Sequence, residues 1–186
     1  KFLPHFHIPL QSGCDEILVQ MGRRYDTAAF ASKLELIRRA FAPRKVFFGI
    51  DVIVGFPGET EEHFRQTLDF LENVARPAFI HVFPYSRRAG TPAALRKDQV
   101  QDSIKTERVA RLEELSARLH REFIESCLGD KAKVLIESKL KDGSLSGYTE
   151  NYIKVSCREG QIGNCTEITL DRNNTGLDKD LTEPEE

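Results

Sequence analysis

Three short segments of this chain combine residue types that can bind or react, and each closes a run that reads as a strand. The first is His7-Ile8-Pro9-Leu10-Gln11-Ser12-Gly13-Cys14-Asp15, where Gln11 and Ser12 offer neutral donors and acceptors suited to sugar hydroxyls. The second is Asp51-Val52-Ile53-Val54-Gly55-Phe56-Pro57-Gly58-Glu59-Thr60. Its two glycines let backbone approach a ligand closely, and Asp51 interrupts an apolar run, where a buried carboxylate needs a partner. The third is His81-Val82-Phe83-Pro84-Tyr85-Ser86. Taken singly, each has an ordinary reading: a turn, a loop, a structural hydrogen bond. Arg23 carries a fixed fork of donors that matches a carboxylate, or it is a surface cation near Asp26. His5 and His7 fall two apart on one face of a strand, but neither His63 nor His81 stands at a spacing that supplies a third ligand. Packed or hydrogen-bonded histidines, and no metal site, are therefore expected. Cys14, Cys127, Cys157 and Cys165 also lack metal or cluster spacing. They read as reduced thiols of a cytoplasmic protein.

The elements that must position these segments follow from periodicity. Phe2–Leu10, Val46–Val54 and Ala78–Phe83 read as strands, and the near-continuous apolarity of the second suggests a strand covered on both faces. Between them lie two helical stretches. One starts at Asp26 or Thr27 and carries Phe30, Leu34, Ile37 and Phe41. The other is capped by Thr60, carries Phe64, Leu68, Leu71 and Val74, and stops at Pro77. Strand–helix–strand order predicts β/α units on a parallel sheet with outer helices, an α/β fold. All three polar segments then fall at one end of the sheet, the C-terminal end where β/α barrels gather function. After a Gly/Pro/Arg-rich connector, Asp98 is expected to cap a long helix to about Leu128. Beyond Gly129, short strand-like runs separated by turns predict a small antiparallel β-barrel. The expected organisation is a barrel portion over 1–97, a connecting helix over 98–128 and a β-domain over 129–186.

Composition sets the outer bounds. Of 186 residues, 40% are hydrophobic and 30% charged, enough apolar material for a core, and the formal net charge of −2 gives no bulk argument for nucleic acid. The longest apolar runs are far too short to span a bilayer. The last nine residues carry five acids, including Asp178, Asp180 and Glu183, and read as a frayed end. The chain starts directly in apolar material without an initiator methionine, so it is expected to have been cut from something longer.

The three strand-end segments, together with Met21-Gly22-Arg23-Arg24-Tyr25, resemble the methylthiotransferases of the radical S-adenosylmethionine (SAM) superfamily, with motifs in matching order from His5 to about Leu170. Within that family the likeness is to the branch acting on N6-threonylcarbamoyladenosine beside the tRNA anticodon. It is carried by Gln11–Asp15, His81–Ser86 and Gly147-Tyr148-Thr149-Glu150-Asn151-Tyr152-Ile153-Lys154-Val155.

The resemblance implies a partial radical-SAM β/α barrel followed by a TRAM-like β-domain. The parent enzyme would use SAM and two 4Fe-4S clusters to add a methylthio group to C2 of the base. The cluster motif CxxxCxxC is missing from this sequence, so none of the four cysteines carries over as a ligand and the chain alone is expected to be inactive. By resemblance, Gln11 and Ser12 lie on the ribose and methionine side of the SAM pocket, and Arg23 matches a methionine-carboxylate residue. Val54 and Gly55 match the stretch that flanks adenine, and Phe83 and Pro84 form the edge whose backbone faces it; Asp51, the carboxylate that interrupts the second strand, is a further expected cofactor contact. Tyr148, Asn151, Tyr152 and Lys154 are the expected RNA contacts, through stacking and phosphate attraction. The partner is tRNA and not a membrane, and a cut barrel edge would favour self-association. Alternatives are an isopentenyladenosine-tRNA or ribosomal-protein methylthiotransferase, or a non-catalytic RNA-binding module.

Overall fold

The computed structural model describes residues 2–178. The acidic residues expected to fray, from Asp180 onward, lie outside that range. The described residues divide into two compact units. One takes in 6–43 and 48–120, and the other 2–5, 44–47 and 121–178.

The first unit is built on three strands, β1 (His5–Gln11), β2 (Phe47–Val54) and β3 (Phe79–Pro84), hydrogen-bonded in the order β1-β2-β3 as a parallel sheet. β2 and β3 run side by side in register from Gly49 opposite Phe79 to Val54 opposite Pro84. Helices α1 (Asp15–Gln20) and α2 (Thr27–Phe41) follow β1. Asp26 starts α2 by accepting the Ala29 amide at 2.7 Å, as an N-cap should. α3 (Glu61–Phe70) opens with a reciprocal capping box between Thr60 and His63. Phe30, Leu34, Phe64 and Phe70 turn their apolar faces inward.

The two faces of the sheet differ. Along β2, Phe48, Ile50, Val52 and Val54 are essentially inaccessible, while Asp51 and Ile53 on the opposite face are only half-buried. Coverage of β2 on both faces is thus incomplete. The same open face carries His7 and Pro9 of β1 and His81 and Phe83 of β3.

Two local departures have physical causes. After α3 the chain widens into a π-turn over Leu71–Ala75 and stops at Arg76, whose φ is 41°. The extra residue keeps Leu71 and Ala75 buried but rotates Val74 out to solvent, against its expected place in the stripe. The long helix α5 (Asp102–Cys127) begins four residues after Asp98. Asp98 cannot cap it, because its carboxylate is bound to Arg96 (2.9 Å from Nε) and its carbonyl accepts the Gly58 amide at 2.9 Å. A short helix, α4 (Pro92–Leu95), occupies the connector.

The second unit contains a four-stranded antiparallel sheet, ordered β6-β5-β4-β7, of β4 (Lys131–Lys139), β5 (Leu145–Thr149), β6 (Lys154–Cys157) and β7 (Cys165–Thr169). β4 is bulged between Ile136 and Ser138, and a Cβ on Gly147 would collide with the Leu135 carbonyl, so only glycine lets these strands close. Its core is Val134, Ile136, Ile153, Val155, Leu170 and Leu177, with Ile124 and Cys127 from the end of α5. Among the described residues, no helix is long and apolar enough to cross a membrane.

Candidate functional site

Gln11, Gly55 and Pro84 each close or follow a strand of the parallel sheet, so the three motif segments meet at one end. Gln11 ends β1 in the left-handed region, at φ 73°, unusual for a residue other than glycine. Two neighbours hold it there. The Tyr25 hydroxyl reaches the Pro9 and Leu10 carbonyls at 3.0 and 2.9 Å, and Arg23 Nη2 donates to Gln11 Oε1 at 2.9 Å. Burial raises the Tyr25 phenol above its usual pKa, against the opposing pull of Arg23, so it remains a donor at neutral pH. Arg23 and Gln11 therefore form one polar corner.

Ser12 is placed differently. It is 1% exposed, its Oγ accepts the Cys14 amide at 3.2 Å, and it sits 3.3 Å from Thr67 Oγ1 on α3. Gly13 is pressed so close to Thr67 that a Cβ would lie 2.9 Å from its Cα. This pair joins strand to helix, with its polar atoms turned inward.

Val54 is fully buried, and its carbonyl accepts the Tyr85 amide at 2.8 Å. Pro84 stands opposite it in register, and Phe83 is 51% exposed on the open face. Gly55, at φ 72°, donates its amide to the Glu59 carboxylate, while Lys105 occupies the space a Cβ would need. Glu59 and Arg108 form a sealed ion pair with Nη1–Oε2 at 3.0 Å and side chains 2% and 4% exposed. Arg108 also donates to the Glu59 carbonyl at 3.2 Å. Burial pushes the Glu59 carboxyl above the usual range, against the Gly55 amide and Arg108, which both hold it down. A groove of about 710 Å³ opens beside Pro84, between Tyr85–Arg87 and the first turns of α5 at Asp102 and Lys105.

Asp51 meets partners that its sequence context did not reveal. It lies opposite His81 in register, and its Oδ1 is hydrogen-bonded to His7 Nε2. The rings of His7 and His81 stack at 4.6 Å between centroids, 17° from parallel. One ligand atom from each of the three residues lies within 4.8 Å of the others. Burial, then the neighbouring His7, lowers the His81 pKa, against the opposing pull of Asp51. The remaining histidines are packed or bonded elsewhere. His63 closes the α3 capping box and lies 3.3 Å from Glu16, and His5 stacks on Tyr152. The spacing of single residues along the chain carries no signal for the His7–Asp51–His81 row, which arises only from strand register.

In the second unit, Tyr152 has φ 62° and stacks on both His5 (4.2 Å) and Tyr148 (4.7 Å). Asn151 is tied to Thr149 Oγ1 at 2.7 Å and to Cys127 Sγ at 3.7 Å, a local brace. Lys154 begins β6 and is exposed. Cys14 and Cys127 are buried, Cys157 is half-buried and Cys165 is exposed. Among the described residues no three cysteines gather as iron–sulfur ligands, so this chain does not fit such a cluster.

Residues 2–71 match the Radical SAM superfamily. Coproporphyrinogen III oxidase (HemN) from Escherichia coli, a radical SAM enzyme, superimposes with a TM-score of 0.51 over 62% of this chain and 27% of that one. At 22% identity this likeness speaks for the fold alone. Over the matched part of the chain the fold is thus like that of the radical SAM enzymes. Threonylcarbamoyladenosine tRNA methylthiotransferase from Bacillus subtilis is 39% identical over 176 residues, covering 91% of this chain and 38% of that protein. A tRNA-2-methylthio-N(6)-dimethylallyladenosine synthase from Oceanobacillus iheyensis is 38% identical over 180 residues, covering 94% of this chain and 34% of that protein. The chain belongs to the radical SAM methylthiotransferase family, and it spans just over a third of the length of these curated relatives.

Proposed function

We infer that this chain is the rear part of the catalytic barrel, plus the RNA-gripping domain, of a cytoplasmic enzyme that adds a methylthio group to C2 of a modified adenosine beside the tRNA anticodon. The observation carrying this reading is the 39% identity to the B. subtilis threonylcarbamoyladenosine enzyme across 91% of the chain. The similar identity to the dimethylallyladenosine synthases supports the second branch as the alternative substrate.

SAM, when bound in the parent, supplies the methyl group and the 5′-deoxyadenosyl radical. This chain's part is to hold it. Arg23, oriented by Gln11, offers a guanidinium for the methionine carboxylate, and Gln11 serves the ribose side. Val54, Gly55, Phe83 and Pro84 border the adenine. Ser12 contributes by fixing the Gln11 loop to α3, since its hydroxyl is already spent. The two clusters are supplied by sequence this chain lacks, so the chain alone is inactive. The antiparallel sheet serves as the TRAM-like module, with Tyr148 and Lys154 toward RNA. β1 is an edge of the three-stranded sheet and Phe2 and Leu3 are exposed, which favours self-association of the isolated chain.

Mass spectrometry of tRNA nucleosides from a strain lacking the gene tests the function. Loss of the methylthiolated threonylcarbamoyladenosine, with its unmethylthiolated precursor retained, is expected. Loss of the methylthiolated dimethylallyl species would move the assignment to the second branch, and an unchanged nucleoside profile would overturn it.

A further inference from the structure

We propose that His7, Asp51 and His81 form a binding site for a divalent transition-metal ion on the open face of the parallel sheet. The proposal does not depend on the methylthiotransferase reading.

Two imidazoles and one carboxylate are a set that zinc, iron and related ions accept. Here each comes from a different strand, β1, β2 and β3, which are neighbours in the sheet. Adjacent strands lie about 4.8 Å apart, so the backbone itself places the three side chains in one row. Asp51 and His81 are directly opposite in register. His7 Nε2 already meets Asp51 Oδ1. A ligand set mounted on strands is better fixed than one carried by loops.

The geometry also states what binding requires. The three ligand atoms spread over up to 4.8 Å. Bonds of about 2.0–2.1 Å in a tetrahedral site call for separations of roughly 3.4 Å. The two rings lie nearly parallel, so one must swing for both nitrogens to aim at a single point. Side-chain rotation must supply this movement, and His7, 51% exposed, has the most room to turn. Three protein ligands leave at least one coordination position for water or an oxygen or nitrogen donor arriving from the open face.

The test is a titration of the chelator-stripped chain with Co²⁺, read by its visible d–d absorption, followed by displacement with Zn²⁺. Wild type is expected to bind one ion per chain. Asp51→Asn and His81→Gln should each weaken binding about tenfold or more, while a Cys157→Ser, Cys165→Ser variant binds as wild type does. Circular dichroism checks that each variant is folded. The partly exposed His7→Gln serves as a further ligand variant should either of the others unfold. Equal affinity in wild type and the folded ligand variants would overturn the site, as would absence of binding by wild type or loss confined to the cysteine variant.

Discussion

Glu59 and Arg108 meet in a sealed interior, whereas His7, Asp51 and His81 meet on a face open to solvent, although both clusters belong to the same unit. In the first, each charge has lost nearly all its water; Glu59 is held by Arg108 and the Gly55 amide, and Arg108 also reaches Glu61 at 3.7 Å. Its work is to clamp the loop after β2 to α5. In the second, solvent still reaches all three side chains, so their pairing is exchangeable. Polar groups that a fold seals must stay paired for the chain to fold, and those it leaves open remain available to something else.

The largest effect should come from breaking the sealed pair. Arg108→Met leaves the Glu59 carboxylate buried without its cation and should cost about 3–5 kcal/mol in urea unfolding. Adding Glu59→Gln should recover part of the loss, and a small effect would erase the contrast. A middle-sized effect is expected for the aromatic and cationic group of the second unit. Tyr148→Ala with Lys154→Ala should weaken tRNA binding by about 1–3 kcal/mol and lower the salt slope by about one. Unchanged affinity with an intact fold would mean that RNA binds another face. Asp51→Asn should change stability by less than about 1 kcal/mol, as for exposed pairs generally. A cost rivalling Arg108→Met would make the open row structural.

The smallest effect concerns pH. His120 Nδ1 lies 3.0 Å from the Ala78 carbonyl, and burial lowers its pKa although that hydrogen bond opposes the shift. The unfolded chain therefore binds the proton more readily. His120's contribution is fully present above the unfolded value of about 6.5 and is lost as pH falls through the lower folded value. Urea midpoints measured downward from pH 7 should fall more steeply in wild type than in His120→Gln.

Much of this arrangement was legible in the residues. The three strand ends, the Asp26 and Thr60 caps and the change of pattern at Gly129 rest on local chemistry, which sequence carries directly. What escaped depended on partners distant in the chain. Asp98 has a cap's side chain but spends it on Arg96. Ser12 sits in a ligand-like loop but faces Thr67. Asp51 called for a partner, yet His7 and His81 lie 44 residues before and 30 after it, brought near only by strand register. The left-handed turn at Tyr152, which puts its ring on His5, had no glycine to announce it.

The interleaving of the two units has a consequence for biosynthesis. His5 stacks on Tyr152, Phe47 packs edge-on against Phe123 and Lys45 binds Asp130, all within the second unit. A ribosome delivers the early members of these pairs more than 70 residues before the late ones. At about 5–20 residues per second, they wait on the order of 4–30 seconds for their partners. During that interval Phe47 has no core to enter, and a chaperone that binds extended apolar chain would find its window there.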